Sequence, residues 1–263
     1  IAVKQGDDFR LFSGNEVGVL LTDFIAKRKV AMGIMPKNPV LVKTIVTTDL
    51  AKRVADDYGI ETRDVLTGFK YIGDQIAGLE KDGEVDRYLL GFEESYGYLS
   101  GSYVRDKDAV NGAYLIAQMF AYYKAKGKSL LEVLEGLYKK YGYYLNTLYS
   151  FEFDGESGMK KMDEIMDSFR NNTPSEIAGI KVLEVRDYET STQTTLKTGA
   201  KEEIKLPKSN VIKYMLEGNS SAVLRPSGTE PKLKLYLAIS SENEAGAREL
   251  ESKIADELKK HLA

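Results

Sequence analysis

The stretch VLVKTIVTTDLAKRVADDYGIETRDVLTGFKYIGDQIAGLEKDGEVDRYLLGFEE, residues 40–94, decides the fold. Its opening run VLVKTIVTT is rich in β-branched residues and reads as a strand. DLAKRVADDYG then has the spacing of a helix, closed by Gly59. RDVLT reads as a short strand, FKYIGDQIAGLEK as a helix and RYLLGFEE as a further strand. Strands alternating with helices of this length predict a layered α/β domain with a mostly parallel sheet.

Working outward, residues 1–4 and 9–12 read as two strands of a hairpin around the turn Gln5-Gly6-Asp7-Asp8. Ser13 and Glu16 have the spacing of a capping box, so a helix is expected from VGVLLTDFIAKRK. Residues 32–39, with Gly33, Pro36 and Pro39, form a linker. On the other side, residues 109–126 predict a helix apolar on most faces and hence central, and residues 130–141 predict an amphipathic one. Composition then shifts to a stretch at 143–153 rich in Tyr and β-branched or aromatic residues, followed by an amphipathic helix, GMKKMDEIMDSFR. Strands follow around IKVLEVRDY, NVIKYMLEG, SAVLRP and KLKLYLAIS, then a closing helix from about residue 242. This second part is expected to be α+β, an antiparallel sheet backed by helices, with residues 189–209 a loop or ragged hairpin.

Composition narrows the function. The 263 residues, 43% hydrophobic and 29% charged, suit two compact domains. A net charge of −3 argues against a general nucleic-acid surface. No run of about 18 apolar residues suggests a membrane span. The absence of cysteine removes disulfides and thiolate metal sites and is compatible with the cytoplasm. His261 alone supports neither a triad nor a His-rich metal site. The first residues, IAVKQGDD, resemble neither a start nor a signal peptide, and the chain is expected to begin in mid-domain.

Chemistry gathers at three places. GFEESYGYLSGSYVRDKDAV, residues 91–110, puts Glu93, Glu94 and Ser95 beyond the carboxyl end of a strand, where ligand sites of open α/β sheets lie. Carboxylates beside a hydroxyl suit the vicinal hydroxyls of a sugar. The competing reading is a charged loop that caps the next helix through Asp106 or Asp108. In LRPSGTEPKLKLYL, residues 224–237, Arg225, a Pro-Ser-Gly-Thr turn, Lys232 and Lys234 bring cations, hydroxyls and turn N–H groups together, as a phosphate nest does. The alternative there is a plain turn between antiparallel strands. LTGFKYIG, residues 66–73, sets Thr67 and Gly68 at a strand end with Lys70 following, as a ligand-contacting turn or, on its own, an ordinary βα loop.

In this order, TGFKYIG, GFEESYG, VRDKD and RPSGTEP resemble the α-D-phosphohexomutase superfamily, in its phosphoglucomutase/phosphomannomutase branch. The resemblance implies a four-domain parent enzyme with one loop per domain: a phosphoserine loop, a DxDxDR loop for Mg²⁺, a sugar-reading loop and a phosphate-binding loop. This chain is similar to the last part of such an enzyme. Residues 1–37 resemble the tail of the metal-binding domain, residues 38–142 the sugar-binding domain and residues 143–263 the phosphate-binding domain. Neither DxDxDR nor a Ser-His-Asn loop occurs in it, so no metal ligands are expected and Mg²⁺ belongs to the parent.

By resemblance, Glu93, Ser95, Thr67 and Gly68 contact the sugar, and Lys107 sits near the transferring phosphoryl group as the catalytic candidate. Arg225, Ser227, Gly228 and Thr229 grip the non-reacting phosphate. Lys70 and Arg105 lie beside these motifs, and Tyr96 stands where many relatives carry Gly or Phe. The implied ligands are a hexose phosphate and the hexose 1,6-bisphosphate intermediate, with no nucleic-acid or membrane partner. Without phosphoserine and metal loops, the fragment is expected to be inactive alone. A non-catalytic sugar-phosphate binding protein is the alternative. A hydrolase using Glu93 and Glu94 as acid and base fits less well, because adjacent residues of an extended strand point apart.

Overall fold

The computed structural model describes residues 1–262 apart from Asp154 and Thr229, with Gly155 and Glu156 described by backbone alone. Two compact units divide the chain, residues 1–141 and 142–263.

The first unit opens with a hairpin of β1 (Ala2–Gln5) and β2 (Asp8–Leu11). Ser13 caps α1 (Gly14–Ala31): its hydroxyl accepts the Glu16 N–H while the Glu16 carboxylate accepts the Ser13 N–H, the expected capping box. There follow β3 (Val40–Thr44), α2 (Leu50–Asp57), β4 (Glu61–Val65), α3 (Phe69–Lys81), β5 (Tyr88–Glu93), β6 (Gly97–Leu99), α4 (Ala109–Ala125) and α5 (Leu130–Tyr141). The sheet order is β4-β3-β5-β6. β3 runs parallel to both β4 and β5, and β6 returns antiparallel to β5. This is the mixed, mostly parallel α/β sheet that the alternating segments predict.

Consecutive residues of β5 show how the layers form. A Cβ on Gly91 would strike Ile72 of α3, and a Cβ on Gly18 of α1 would lie 2.1 Å from the Phe92 ring. Side chains alternate along a strand, so α3 and α1 cover opposite faces. Gly18 is therefore a packing glycine, whose missing side chain makes room for a fully buried Phe92.

Three features differ from the sequence expectation. The strand read through residue 48 stops at Thr44, and residues 45–48 form a turn in which the Thr47 N–H bonds the Thr44 carbonyl. β6 is only three residues long and lay inside a stretch read as loop. Helix α4 is not central: only Gly112, Met119 and Tyr123 are buried, while Val110, Tyr114 and Phe120 remain 79%, 62% and 45% exposed. Its all-round apolar composition mimics a core helix, but a single stripe meets the layer beneath.

The second unit is α+β. Its strands are β7 (Tyr143–Glu152), β8 (Glu176–Ile177), β9 (Ile180–Asp187), β10 (Thr192–Thr195), β11 (Ala200–Glu203), β12 (Ile212–Leu216), β13 (Ser220–Pro226) and β14 (Lys232–Ser241). They form one antiparallel sheet of order β11-β10-β9-β12-β13-β14-β7, with β8 paired to β9. Helices α6 (Gly155–Asn171) and α7 (Glu244–Lys259) bring Met162, Met166, Ile254 and Leu258 into one core with Leu233, Leu235 and Leu237. Residues 189–209 resolve as the hairpin of β10 and β11. Among the described residues no helix is long and apolar enough to cross a membrane.

Candidate functional site

The first unit gathers its polar side chains at the carboxyl ends of β3, β4 and β5. Connections from β3 run to β4 on one side, and the chain then crosses to β5 on the other. A strand order that reverses in this way leaves a crevice at the strand ends.

Glu93, the last residue of β5, is 8% exposed, and its Oε1 accepts the N–H of Gly68 at 2.8 Å. Gly68 is the residue from which α3 starts, at φ 118° and ψ 124°, a conformation open to glycine and hardly to other residues. Glu93 thus lies on the positive end of α3. Burial nevertheless raises its pKa above the usual carboxylate range, against the Gly68 N–H, which lowers it; Glu94 adds to the rise and Lys107 opposes it.

Gly97, opposite Glu93 across the β5–β6 hairpin, sits at the centre of this cluster. A Cβ there would lie 3.2 Å from Lys107 Cδ, 3.3 Å from Glu93 Oε2 and 3.4 Å from Phe69 Cδ2. Glu93, Gly68 and Lys107, three of the candidates, therefore lie close together, with Gly97 and Phe69 as neighbours that the sequence reading did not single out. Lys107 is half-exposed and pairs with Asp106 at 3.1 Å. Ser95 and Tyr96 are exposed at the hairpin tip, Tyr96 at φ 65°, and Thr67 is half-buried.

The capping alternative is realised. Asp108 accepts the N–H groups of Val110 and Asn111 and starts α4. Arg105 is engaged elsewhere, paired with Glu80, and Lys70 lies over the Tyr71 ring. A groove of about 670 Å³ beside the hairpin is lined by Val3, Tyr98, Ile116 and Phe120 among others. Its wall is mostly apolar, with Tyr96, Lys107 and Asp108 among its polar lining residues.

Beneath the site, Lys43 is fully buried in β3, with its Nζ 2.8 Å from both Asp49 Oδ1 and Asp64 Oδ1. Burial alone would lower its pKa, but Asp64 and Asp49 outweigh that and hold it above the usual lysine range. A lysine inside VLVKT gave no hint of this role.

In the second unit, Arg225 stands near the end of β13 opposite Lys234 of β14. Residues directly opposite share a face of the sheet, so the guanidinium and ammonium lie on one side, and Leu224 and Leu235 are buried on the other. Arg225 Nη1 is 3.5 Å from the Tyr236 hydroxyl, and Lys232 pairs with Glu152 and Glu230. The turn has already used part of its N–H supply: Ser227 N bonds the Lys232 carbonyl, and Lys232 N bonds that of Glu230. Gly228 is exposed, and a Cβ on it would meet nothing described within 4 Å. Thr229, the fourth residue expected here, lies outside the described residues.

An α/β/α layer with an acid and a lysine at its strand ends, followed by an antiparallel sheet that carries Arg225 and Lys234 beside a turn, defines a class of two-unit protein, α/β and then α+β. Comparison narrows the class. Residues 13–141 match the family model of phosphoglucomutase/phosphomannomutase, alpha/beta/alpha domain III. The chain is 39% identical over 241 residues to a phosphoglucomutase of Staphylococcus saprophyticus, covering 91% of this chain and 43% of that protein. It is also 39% identical to the phosphoglucomutase of Staphylococcus aureus MSSA476 over 232 residues, 88% of this chain and 41% of that one.

Among solved structures, parafusin, a phosphoglucomutase from Paramecium, superposes with a TM-score of 0.64 at 16% identity, covering 99% of this chain and 42% of that one. N-acetylphosphoglucosamine mutase of Aspergillus fumigatus, in complex with glucose 1,6-bisphosphate, gives 0.51 at 13% identity, covering 99% and 46%. The chain belongs to the phosphoglucomutase/phosphomannomutase branch of the α-D-phosphohexomutase superfamily. It spans less than half the length of the curated relatives it matches.

Proposed function

We propose that this chain is the sugar-reading and phosphate-gripping part of a hexose-phosphate mutase. Such an isomerase interconverts glucose 1-phosphate and glucose 6-phosphate, or the mannose phosphates, through a phosphoserine enzyme and a hexose 1,6-bisphosphate. The observation that carries the reading is the convergence of Glu93, Gly68, Gly97 and Lys107 at the strand ends.

In this reading the Glu93 carboxylate accepts sugar hydroxyls, with Ser95, Thr67 and Gly68 as neighbouring polar contacts. Lys107 faces the transferring phosphoryl group, where it stabilises developing negative charge, since phosphoryl transfer needs positioning and charge stabilisation above all. Arg225, Ser227, Gly228 and Thr229 hold the phosphate that does not react. A ligand that must present each of its phosphates in turn suits two separate recognition loops. Residues 1–37, 38–142 and 143–263 then correspond to the tail of a metal-binding domain, a sugar-binding domain and a phosphate-binding domain, in a cytoplasmic enzyme.

Among the described residues no three His, Asp or Glu side chains converge where they could hold a cation. The Mg²⁺ that the resemblance implies is assigned to the DxDxDR loop of a parent enzyme, a loop this sequence does not contain. The sequence also carries no Ser-His-Asn loop, so the chain alone is expected to bind and not to turn over.

Calorimetric titration with glucose 1-phosphate, glucose 6-phosphate and mannose 1-phosphate, alongside a coupled mutase assay, tests this. Saturable binding is expected, weakened about ten- to a hundredfold in Arg225→Ala, the worth of a hydrogen bond to a charged group. Failure of all three sugars to bind would overturn the reading of the loops, and turnover by the purified chain would overturn its inactivity.

A further inference from the structure

Glu94 lies beside Glu93 in sequence, yet the alternation of the strand sends it to the opposite side. Its Oε2 is 3.3 Å from the Thr44 hydroxyl and 3.2 Å from the Thr47 hydroxyl, which are 2.8 Å from each other. An ionised carboxylate brings no proton, so these three oxygens share two. At least one hydroxyl donates to Glu94, and the other donates to it or to the first.

Both threonines belong to the β3 end and its turn, and Lys43 holds that turn from inside. Its Nζ donates to the Thr47 carbonyl at 3.2 Å while pairing with Asp49 and Asp64. On another side the start of α1 presses on the same loop. A Cβ on Gly14 would lie 2.0 Å from the Glu94 carbonyl oxygen, and the Gly14 carbonyl accepts the Tyr98 hydroxyl at 2.9 Å. Asn15 Oδ1 accepts the Thr48 N–H at 3.0 Å, which ties α1 to the turn.

We propose that Glu94 is a positioning residue: held by Thr44 and Thr47 on a turn that buried Lys43 fixes, it sets the backbone from which Glu93 and Ser95 meet a sugar. Of two adjacent carboxylates, one is given to ligand and the other to the protein. The ligand half of this statement rests on the proposed function, whereas the structural half does not.

The test measures amide hydrogen exchange of the peptide covering residues 93–100 without ligand, and glucose 1-phosphate affinity by calorimetry. The variants are Glu94→Ala, Glu94→Gln and Thr47→Val. Glu94→Ala and Thr47→Val are expected to speed exchange of that peptide about tenfold and to weaken glucose 1-phosphate by a similar factor, while residues 212–226 stay unchanged. Glu94→Gln keeps an acceptor oxygen and should restore most of both. Lys43→Met should act like Thr47→Val; because it removes the buried ammonium that Asp49 and Asp64 share and can unfold the unit, Thr47→Val carries the test.

Unchanged exchange in Glu94→Ala and Thr47→Val would overturn the proposal. So would a Glu94→Gln variant that loses affinity as fully as Glu94→Ala with normal exchange, since the charge would then be read by the sugar. A wild-type chain that binds no glucose 1-phosphate sinks the functional reading, and the exchange comparison still decides the role of Glu94.

Discussion

Glu93→Gln and Glu93→Ala separate what burial does to Glu93 from what its hydrogen bond does. In the wild type a carboxylate only 8% exposed accepts the Gly68 N–H at 2.8 Å. Gln keeps that acceptor but turns a charge-assisted bond into a neutral one, a loss of about 1 kcal/mol, and it relieves the cost of a buried charge. The two effects oppose, so Glu93→Gln should change stability at pH 7 by less than about 1 kcal/mol. Ala leaves the Gly68 N–H without its partner and opens a gap, at about 1–3 kcal/mol for the lost partner alone.

The sign with pH follows from the raised pKa. Because the folded chain holds the Glu93 proton more tightly than the unfolded chain, the protonated acid favours folding below the ordinary carboxylate pKa. That contribution is lost as pH rises through the raised value. Wild type should therefore lose stability relative to Glu93→Gln as pH rises from the ordinary carboxylate pKa through the raised one. Urea-dependent hydrogen exchange of the Tyr88–Glu93 peptide, with all variants compared at the same pH, reads this without interference from the second unit. A Glu93→Gln as unstable as Glu93→Ala at pH 7, or a gap to wild type that does not move with pH, would refute burial as the governing influence.

Other expectations follow from glycines and a left-handed tyrosine. Gly18→Ala forces a Cβ to within 2.1 Å of the buried Phe92 ring and should cost about 1–3 kcal/mol by urea melting. Gly78→Ala in α3, where nothing lies within 4 Å, should instead gain up to about 1 kcal/mol. Equal effects at the two sites would contradict the packing. Tyr96 sits at φ 65°, so Tyr96→Ile should destabilise the unit by about 1–2 kcal/mol while Tyr96→Gly stays near neutral. A harmless isoleucine would show that the tip relaxes out of this conformation.

The sequence made some parts of this molecule legible for local reasons. FKYIGDQIAGLEK coincides with α3, and Ser13 and Glu16 form their capping box, because periodicity and caps are written within a few residues of one another. Glu93 drew attention because it follows an apolar run, and the structure does end β5 there. β6 was missed since three residues carry no period, and α4 was misplaced since composition does not say which face finds a partner. Gly97, Thr44, Thr47 and Lys43 were passed over for a common reason. Their roles depend on contacts with residues distant in sequence, as in Thr47 with Glu94, and no spacing rule reaches that far.

The two loops are built in different ways, and the difference suits what each is proposed to read. The 93–97 loop is fixed from the interior, by Glu94 on two threonines and by Gly14 against its carbonyl, so the direction of Glu93 is set before any ligand arrives. Sugar hydroxyls demand this, since a donor displaced by an ångström no longer makes a good bond. In the second unit Gly228 is exposed, and the cations Arg225 and Lys232 stand on strand residues, Lys232 paired with Glu152. A phosphate needs less direction: it is a compact anion with several equivalent oxygens, bound through charge as much as through angle. In the proposed function the first unit thus supplies a pre-set hydroxyl reader and the second a phosphate grip that works through charge.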